Sequence, residues 1–425
     1  LMIPMVVWGN RAPTHCISSM LMMPDQRNLV TGCNDGQICV WEVLEDWNVE
    51  PSTFLFGHSA AVTSLTTATN SMEKRLIVSS SDNGEMCVWD LSDSRCVEHT
   101  KMSMTHTSIQ AYPMLHCHDI RLVCNGYYPE IHIIHPLSLE ILFSLSSRIQ
   151  PDWISALCVL RPMKHEDVIV AISNSGTVKV WTLSGNENRQ GQAVYEDEAK
   201  QIRCLSPQTL KCCAYNQRTV LIVCSKYWQI YDAKFGGHAQ RERDEDGMIY
   251  DAGDFSLLCS ESNRPGERWV GGEFIAIDKV IVWSNEGKAY LYKLPKNANP
   301  ESKEFHKSGD PRSPKQMGPQ AYHTLDIFAE KPLMCCPSMM YFHGRRERES
   351  KLLVRGDSEG RVVIWVIPDV RENEMKLVRQ ESFDKLPVNQ PKVTTSLQEY
   401  WKKCAPSPEG LIDQLNYIDG KFLNI

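Results

Sequence analysis

This 425-residue sequence lacks the usual marks of membrane, secreted and enzymatic proteins. No apolar run approaches the roughly 18 residues of a membrane span, and no charged-then-apolar signal segment opens the chain. Any membrane association is therefore expected to be peripheral. The absence of an Asn-x-Ser/Thr sequon weakly favours the cytosol. The motifs GxGxxG, GxxxxGK[ST] and HExxH are absent, and no GxSxG stands in a strand-to-helix setting, so no common catalytic signature is present.

A strong excess of charge of either sign is also missing. The formal net charge is −7, and a general nucleic-acid-binding protein would carry a basic face, so we expect no nucleic-acid partner. The 16 cysteines are mostly isolated inside apolar runs, as at Cys39 and Cys224. Disulfide frameworks belong to small secreted chains, so we predict reduced, buried cysteines in a cytosolic protein.

One pattern is abundant: a glycine ends a polar turn, and an aromatic residue follows five positions later at the end of an alternating strand. Clear copies are GQICVWEV, GEMCVWDL, GTVKVWTL, GKAYLYKL and GRVVIWVI, and degenerate copies are PEIHIIHP and KYWQIYDA. The pattern places seven residues in one column: Trp41, Trp89, Ile134, Trp181, Tyr231, Tyr292 and Trp365. The first four intervals lie near the WD-repeat period of about 40–45 residues, and the last two are lengthened by insertions.

Most copies are accompanied by further short β-runs, which indicates four strands per unit. Residues 1–369 are therefore predicted to form an all-β, seven-bladed WD40 propeller. The last unit lacks a recognisable fourth strand, whereas the run IPMVVW near the start belongs to no unit. Because an open ring leaves strand edges exposed, we predict that residues 1–9 close the last blade. The closing-strand residues are predicted to be Ile3, Val6, Val7 and Trp8.

Outside the repeats the sequence predicts inserted loops at 234–249 and 295–320, a charged linker at 370–392 and a helical tail at 393–425. Ser396 and Glu399 have the spacing of a capping box, which predicts a short helix through Cys404. We expect the tail to lead to the remainder of a larger protein.

The repeats also predict structural side chains. In WD repeats a His, a Ser or Thr, an Asp and the Trp form a hydrogen-bonded stack, because a buried Trp N–H needs a partner. We assign structural roles to His58, Ser80 (beside Ser79), Asp82 and Trp89 in the second blade, Asp35 and Trp41 in the first, and Trp181, Tyr231, Tyr292 and Trp365 elsewhere.

No residue stands out as catalytic or metal-binding. The histidines at 116, 118, 132 and 135 lack the spacing of a zinc site and are interpreted as structural or surface residues. The tripeptide Arg355-Gly356-Asp357 is interpreted as a hairpin turn. We predict a protein that is not an enzyme and has no cofactor.

Several stretches go beyond the generic repeat. WGNRAPTHCIS, VTGCNDGQICVWE, LFGHSAAVTSL, SSSDNGEMCVWD, QPDWISAL, VCSKYWQIYDA and PEGLIDQL resemble the amino-terminal propeller of the rabconnectin beta subunit family, the large WD-repeat proteins numbered seven in their series. The resemblance covers nearly the whole chain, and residues 234–249 depart from the family pattern.

That resemblance implies a scaffold that pairs with a large WD-repeat alpha subunit and promotes assembly of the V-type proton ATPase from its sectors. It implies acidification of endosomes, lysosomes and synaptic vesicles, with peripheral placement on those membranes through partners, and links to regulators of Rab GTPases. Family members are much longer than this chain.

A generic WD-repeat peptide-binding adaptor is the alternative, such as a ubiquitin-ligase substrate receptor or a Rab-regulator scaffold. Propellers bind partners with their loop-bearing rims and the mouth of the central channel. In either case we expect a protein–protein patch on one rim, with the inserted loops or the helix at 396–404 as candidates.

Overall fold

The computed structural model describes residues 14–113, 119–149, 152–163, 166–183, 192–202, 204–233, 255–305, 318–328, 330–345, 349–376 and 380–404. Within these ranges, thirty strands form seven sheets. The predicted seven-bladed β-propeller is confirmed. The predicted closing-strand residues Ile3, Val6, Val7 and Trp8 lie outside the described residues, as does the inserted loop at 234–249.

Each of the first four blades is built on four antiparallel strands, which are consecutive in the chain except in the fourth blade. The first blade contains β1 Ile17–Met22, β2 Asn28–Cys33, β3 Ile38–Val43 and β4 Val49–Leu55. The second contains β5 Val62–Thr67, β6 Leu76–Ser81, β7 Glu85–Asp90 and β8 Arg95–Lys101. The third contains β9 His106–Pro113, β10 Ile120–Gly126, β11 Tyr128–Ile134 and β12 Ile141–Ser146. The fourth contains β13 Ile154–Met163, β14 Glu166–Ser173, β15 Thr177–Thr182 and, after the short β16 Ala193–Tyr195, β17 Glu198–Gln201.

The last three blades repeat this plan with longer connections. The fifth contains β18 Pro207–Cys212, β19 Thr219–Cys224, β20 Tyr227–Ala233 and β21 Phe255–Ser262. The sixth contains β22 Trp269–Ala276, β23 Lys279–Ser284, β24 Ala289–Lys293 and β25 Gln320–Leu325. The seventh contains β26 Ser338–Arg345, β27 Glu349–Gly356, β28 Arg361–Val366 and, after the short β29 Val388–Asn389, β30 Val393–Ser396. Short 3-10 turns lie at Glu45–Trp47, Lys296–Ala298, Glu372–Glu374 and Gln380–Lys385, and helix α1 is Leu397–Cys404.

The position of a strand within its blade decides its burial. Every residue of the second strands β2 and β19 is buried, whereas the outer strand β8 is exposed along almost its whole length. A second strand is covered on both faces by the neighbouring blades, so its sequence is a continuous apolar run and not an alternating one.

The glycine of the repeat is required by backbone geometry. In the five clear copies it adopts φ between +72° and +89°, in the turn between the second and third strands. A Cβ on Gly36 would lie 2.4 Å from the His58 carbonyl oxygen of the next blade. Only glycine combines this left-handed conformation with so close an approach, which is why the turn signal recurs.

The ring is closed by apolar packing. The described residues form seven apolar clusters, one at each junction between neighbouring blades. The cluster between the last and first blades contains Trp41 and Leu352. Across the same junction the Ile17 N–H donates to the Asp357 oxygen at 3.1 Å. An open ring of seven blades would have only six such junctions.

The outer strand of the last blade corrects the sequence prediction. That strand is β30, which pairs with β28 in the register Arg361 to Ser396. The assignment of this position to residues 1–9 is wrong, because residues 393–396 occupy the edge of β28 that was thought to be free. A four-residue strand 27 residues after β28 carries too weak a periodic signal to be recognised in the sequence.

Helix α1 follows β30 directly and reaches the first blade. The Glu399 N–H donates to Ser396 Oγ at 3.4 Å, in the manner of a helix cap. Leu397 is buried in the apolar cluster between the seventh and first blades, and α1 contacts β4. The segment 393–404 therefore joins the last blade to the first.

The two short strands extend sheets that precede them in the ring. β16 pairs in parallel with β12, and β29 pairs in parallel with β25. In the fourth and seventh blades, therefore, the chain leaves the third strand, adds a fifth strand to the preceding blade, and returns to form its own outer strand.

One cysteine pair departs from the sequence prediction. Cys158 and Cys212 form a disulfide between the first strands of the fourth and fifth blades, with Cα atoms 6.1 Å apart. The prediction of reduced cysteines is wrong for this pair. Twelve further cysteines, whose side chains the structure describes, are free, and most of them are buried.

Candidate functional site

The second blade contains the hydrogen-bonded stack that the repeat predicts, with one serine exchanged. The Trp89 Nε1–H donates to Ser79 Oγ at 2.8 Å, and His58 Nε2 lies 2.6 Å from the same oxygen. Ser80, which the sequence analysis selected, faces the other side of the strand and bonds to Thr63 Oγ1 at 2.8 Å. Adjacent strand residues point to opposite faces, so only one of the two serines can reach Trp89.

The acidic member of that stack also differs from the prediction. His58 Nδ1 lies 3.7 Å from Glu85 Oε2. Asp82 is exposed at the turn and uses its main chain: its N–H donates to the Ala61 oxygen, and its own oxygen accepts from Thr105 Oγ1. The carboxylate beside the histidine therefore comes from the first residue of the third strand.

The first blade has the same stack, built from two residues that sequence reasoning missed. The Trp41 Nε1–H donates to Thr31 Oγ1 at 2.9 Å, and His15 Nε2 lies 2.9 Å from that oxygen. Thr31 stands ten positions before Trp41, as Ser79 stands before Trp89, and this spacing was the available signal. The predicted Asp35 is exposed at the turn.

The third blade keeps the histidine and replaces the tryptophan. His106 Nδ1 lies 2.7 Å from the Tyr128 hydroxyl, and the Tyr128 ring packs 4.8 Å from the His132 ring. The column position is Ile134, which is buried and has no N–H to satisfy. Tyr128 thus supplies the hydrogen bond that tryptophan supplies in the first two blades.

The buried histidines make the stability of the ring depend on pH. Burial lowers the pKa of His15 to about 4 and that of His106 to about 4. Each ring stays neutral in the folded chain below the pH at which it becomes protonated in the unfolded chain. Their stabilisation is therefore present above about pH 6.5 and is lost as the pH falls toward 4.

We expect His15→Gln to weaken that pH dependence. Between pH 6.5 and pH 5 the loss of unfolding free energy should shrink by about 1–2 kcal/mol relative to the wild type. Urea unfolding at several pH values measures it, with the exposed His99→Gln as control. An unchanged pH dependence in His15→Gln would contradict the role of burial.

We also expect Ser79→Ala to lower the free energy of unfolding by about 1–3 kcal/mol, because two buried partners, Trp89 Nε1 and His58 Nε2, lose their shared oxygen. The exposed Ser71→Ala should change it by less than about 0.5 kcal/mol. Urea unfolding measures both effects. Equal effects of the two substitutions would show that the stack does not contribute to the free energy of unfolding.

The fourth and seventh blades satisfy their tryptophans differently. The Trp181 Nε1–H donates to the Ser146 carbonyl at 3.0 Å, and the Trp365 Nε1–H donates to the Asp326 carbonyl at 3.3 Å. Both carbonyls stand at or directly after the end of the outer strand in the preceding blade. These are also the two blades that add a fifth strand to the preceding blade. The tryptophan and the added strand therefore both bond to the outer strand of that preceding blade or to the residue directly after it.

A buried cation accompanies each of these tryptophans. Arg355 stands ten positions before Trp365, is 1% exposed, and places its guanidinium 5.4 Å from the Trp365 ring centroid. Glu330 Oε1 accepts from Arg355 Nη2 at 2.6 Å and from Arg361 Nη2 at 2.6 Å. Arg355 is thus an interior residue of the blade, which agrees with reading Arg355-Gly356-Asp357 as part of a hairpin.

The fourth blade has a lysine in the corresponding space. Lys179 is buried beside Ala171, which stands ten positions before Trp181. Burial lowers the pKa of Lys179, while the nearby carboxylates of Glu196 and Asp152 act in the opposite direction. The Nζ atom forms no hydrogen bond within the described part of the chain.

The tyrosines of the column lie in aromatic surroundings. The Tyr231 hydroxyl donates to Gln229 Oε1 at 2.8 Å, and its ring stacks on Phe255. The Tyr292 ring is buried between Trp228 and Trp269. These assigned positions serve the packing of the ring, and none lies in an open site.

The exposed surface of the ring is more informative about binding. Strands alternate in direction, so the turns between second and third strands lie on the same rim as the loops between blades. On this rim, at the junction of the third and fourth blades, large side chains are exposed: Tyr127 at 57%, Ile149 at 50%, Trp153 at 50% and Tyr195 at 43%. With Arg148 they form a surface that we call the Trp153 strip.

The rings of the Trp153 strip form two pairs. The Tyr127 and Trp153 centroids are 5.3 Å apart across the blade junction. At the outer end, the Arg148 guanidinium lies 4.8 Å from the Tyr195 ring centroid. Ile149 follows Arg148 just after the outer strand of the third blade.

Buried polar groups hold the main chain on both sides of the strip. The Glu196 carboxylate is 3% exposed and accepts from the N–H groups of Arg148 and Ile149 and from Ser147 Oγ, at 2.9 to 3.3 Å. The side-chain amide of buried Asn125 donates to the Ile154 carbonyl at 3.0 Å. The main chain at residues 148, 149 and 154 is therefore held by buried groups, while the side chains of the strip are exposed.

Asp152 fixes the inner end of the loop. Its carboxylate accepts from the Ser175 N–H at 2.7 Å and from the Trp153 N–H at 2.8 Å. Burial alone would raise the pKa of Asp152, but these hydrogen bonds outweigh it and lower the pKa below its usual value. The carboxylate is thus engaged by the loop itself.

The other predicted locations of a binding patch provide less evidence of a binding surface. The loop at 234–249 lies outside the described residues, and residues 306–317 of the second insert do too. Helix α1 is described, and its first residue is buried against the ring. Among the surfaces that the structure describes, the Trp153 strip brings together the most exposed aromatic side chains.

The described ranges contain no group of three or more His, Cys, Asp or Glu placed to hold a metal ion. His132 bonds to Ser144 Oγ, and His135 caps its own turn, while residues 116 and 118 are not described. Over the same ranges, no helix has the length and apolar character needed to cross a membrane.

Sequence comparisons place the repeats among known proteins. The family model of the WD domain, G-beta repeat, matches residues 9–42 and 49–90. The chain is 34% identical over 417 residues to WD repeat-containing protein 72 of Pongo abelii, and 34% identical over 416 residues to that of Homo sapiens. In both cases 96% of this chain and 35% of the relative are covered, so the chain spans about a third of these relatives' length.

Solved structures match the same architecture. The β-propeller domain of Myceliophteria thermophila Cps50 (Swd1) superposes with a TM-score of 0.57 at 14% identity, over 84% of this chain and 98% of that domain. A computationally designed protein, Ika8, superposes with a TM-score of 0.50 at 15% identity, over 86% and 87%. At these identities the likeness concerns the fold alone.

Proposed function

Because this chain is a seven-bladed propeller of WD repeats, related over 96% of its length to WD repeat-containing protein 72, we propose that it is a non-catalytic scaffold that binds other proteins through one rim. The observation that carries the proposal is the Trp153 strip, a group of exposed aromatic side chains on a fixed backbone. Aromatic residues and arginine are enriched at the energetic centres of protein interfaces.

The finer proposal concerns the process that the scaffold serves. We propose that it acts in a rabconnectin-like complex that promotes assembly of the V-type proton ATPase. Support comes from the sequence resemblance in the degenerate blades and the tail. WD repeat-containing protein 72, to which the chain is similar, is a different member of the WD-repeat proteins. Its name therefore gives no support to the assembly function.

The same proposal defines partners and location. The large WD-repeat alpha subunit and the sectors of the V-type ATPase are the proposed partners, with regulators of Rab GTPases as further ones. Membrane association on endosomes, lysosomes and synaptic vesicles would then be peripheral and through these partners. A scaffold of this kind needs no cofactor.

Affinity capture from a cell lysate tests this function. The tagged chain is expected to enrich the alpha subunit and at least one ATPase sector over a tagged WD propeller of unrelated sequence. Quantitative mass spectrometry of both captures provides the measurement. Equal recovery of these proteins by the two baits would overturn the assembly function.

An adaptor that binds short peptides is the second candidate, and the exposed aromatic side chains of the strip favour it. The same capture separates the two functions. Recovery of ubiquitin-ligase subunits, without the ATPase or the alpha subunit, would identify a substrate receptor.

A further inference from the structure

We propose that the Trp153 strip binds an extended peptide segment of a partner, in which a large apolar side chain and a carboxylate stand within about five residues of each other. The proposal rests on the scaffold function above and names the ligand chemistry of its surface. Its three supports are the apolar end of the strip, the exposed guanidinium at the other end, and the short spacing between the two ends.

The apolar end is formed by Tyr127 and Trp153. Their rings are tilted by 54° to each other, and each is about half exposed or more. Covering apolar area contributes about 25 cal/mol per Å², so a leucine or aromatic side chain placed against both rings would contribute most of the binding free energy. The tyrosine main chain is held by its N–H bond to the Thr105 oxygen, so little ordering is needed.

The other end offers hydrogen-bond donors. The Arg148 guanidinium is exposed, lies over the Tyr195 ring, and forms no ion pair with any described residue. A guanidinium presents a planar fork that matches a carboxylate with two parallel hydrogen bonds. Arg148 therefore favours an acidic group in the ligand.

The neighbouring carboxylates do not already fill this role. Glu196 is occupied by N–H and hydroxyl donors of residues 147–149, and Asp152 by those of Ser175 and Trp153. Both are used to hold the loop, so neither is available to pair with Arg148. The Arg148 guanidinium is therefore the charged group on the strip that has no ion pair among the described residues.

The short spacing between the two ends of the strip favours an extended ligand over a folded one. Four residues stand between Arg148 and Trp153 in the sequence, so their Cα atoms are at most about 18 Å apart. An extended segment of about five residues spans that distance.

Selection from a phage library of random 12-residue peptides tests the proposal. The full wild-type chain is the bait, and the Tyr127→Ala/Trp153→Ala double variant is used for counter-selection. Leu137→Ala is the matched control, because Leu137 is 47% exposed on the opposite rim of the third blade. Unchanged melting temperatures establish that every bait is folded.

Enriched peptides are expected to share a large apolar residue and an Asp or Glu within five positions. A synthetic peptide of that consensus should bind the double variant at least about tenfold more weakly, and Leu137→Ala equally well. Changing the peptide carboxylate to an amide should weaken binding to the wild type and have little further effect on Arg148→Ala. Such coupling identifies the guanidinium as the partner of the carboxylate.

Three results would overturn the proposal: no consensus that depends on Trp153, a consensus rich in basic residues, or equal loss of affinity for the amide peptide in wild type and Arg148→Ala. Trp153-dependent self-association in sedimentation, without a peptide consensus, would identify a second copy as the occupant and would also overturn it. A peptide consensus obtained while lysate capture fails would leave this inference standing and reject the assembly function alone.

Discussion

Replacing Glu330 by alanine is expected to lower the free energy of unfolding by about 3–5 kcal/mol. Glu330 Oε1 accepts hydrogen bonds at 2.6 Å from both Arg355 and Arg361. The Arg355 side chain is 1% exposed, so removal of the carboxylate leaves a charge inside the seventh blade without a counter-ion. Breaking one member of a buried ion pair is costly for this reason.

Urea unfolding measures this effect against two variants. Asp93→Ala removes an exposed ion pair with Arg95, whose side chain is 70% exposed, and should cost less than about 1 kcal/mol. Glu330→Ala combined with Arg355→Met should recover much of the loss, because no buried charge then remains. A loss below about 1 kcal/mol in Glu330→Ala would show that water reaches Arg355.

Ending the chain at Lys392 is expected to cost the ring at least roughly 3–6 kcal/mol from two buried side chains alone. Val393 and Leu397 are 8% and 2% exposed in the cluster between the seventh and first blades. The same truncation removes β30 and leaves an edge of β28 unpaired, which also favours aggregation. A chain ending at Cys404 keeps every contact described above and is the control.

Removal of residues 1–9 is the comparison that shows which end of the chain closes the last blade. A chain without residues 1–9 keeps every described strand, so it is expected to keep all seven blades and a cooperative thermal transition. Size-exclusion chromatography and thermal melting measure the three chains together. If the chain ending at Lys392 melted like the control, β30 would not be what closes the last blade.

The turn glycines and the aromatic column were enough to predict the blades, because each has a local cause. A left-handed glycine in the tight turn and a fully buried second strand leave a periodic mark in the sequence. The outer strand β30 leaves no such mark: it is four residues long and lies beyond a linker. Its position depends on pairing with β28, which is distant in the sequence.

The side chains inside the blades show the same division. Trp89 and His58 were recognised from the repeat, but Ser80 was chosen where Ser79 bonds to both. That error concerns which of two adjacent strand residues faces the tryptophan. A sequence pattern indicates this weakly when both faces of the strand are buried. The Trp153 strip could not be foreseen, because Tyr127 and Tyr195 are brought near residues 148–153 only by the closed ring.

The central claim is that this propeller is a scaffold whose binding surface is the Trp153 strip. Parallel captures from one lysate, with the wild type, the Tyr127→Ala/Trp153→Ala variant and Leu137→Ala as baits, test it most directly. We expect the double variant to lose at least about four fifths of the captured alpha subunit and ATPase sector, and Leu137→Ala to lose neither. Equal capture of these proteins by all three baits would contradict it.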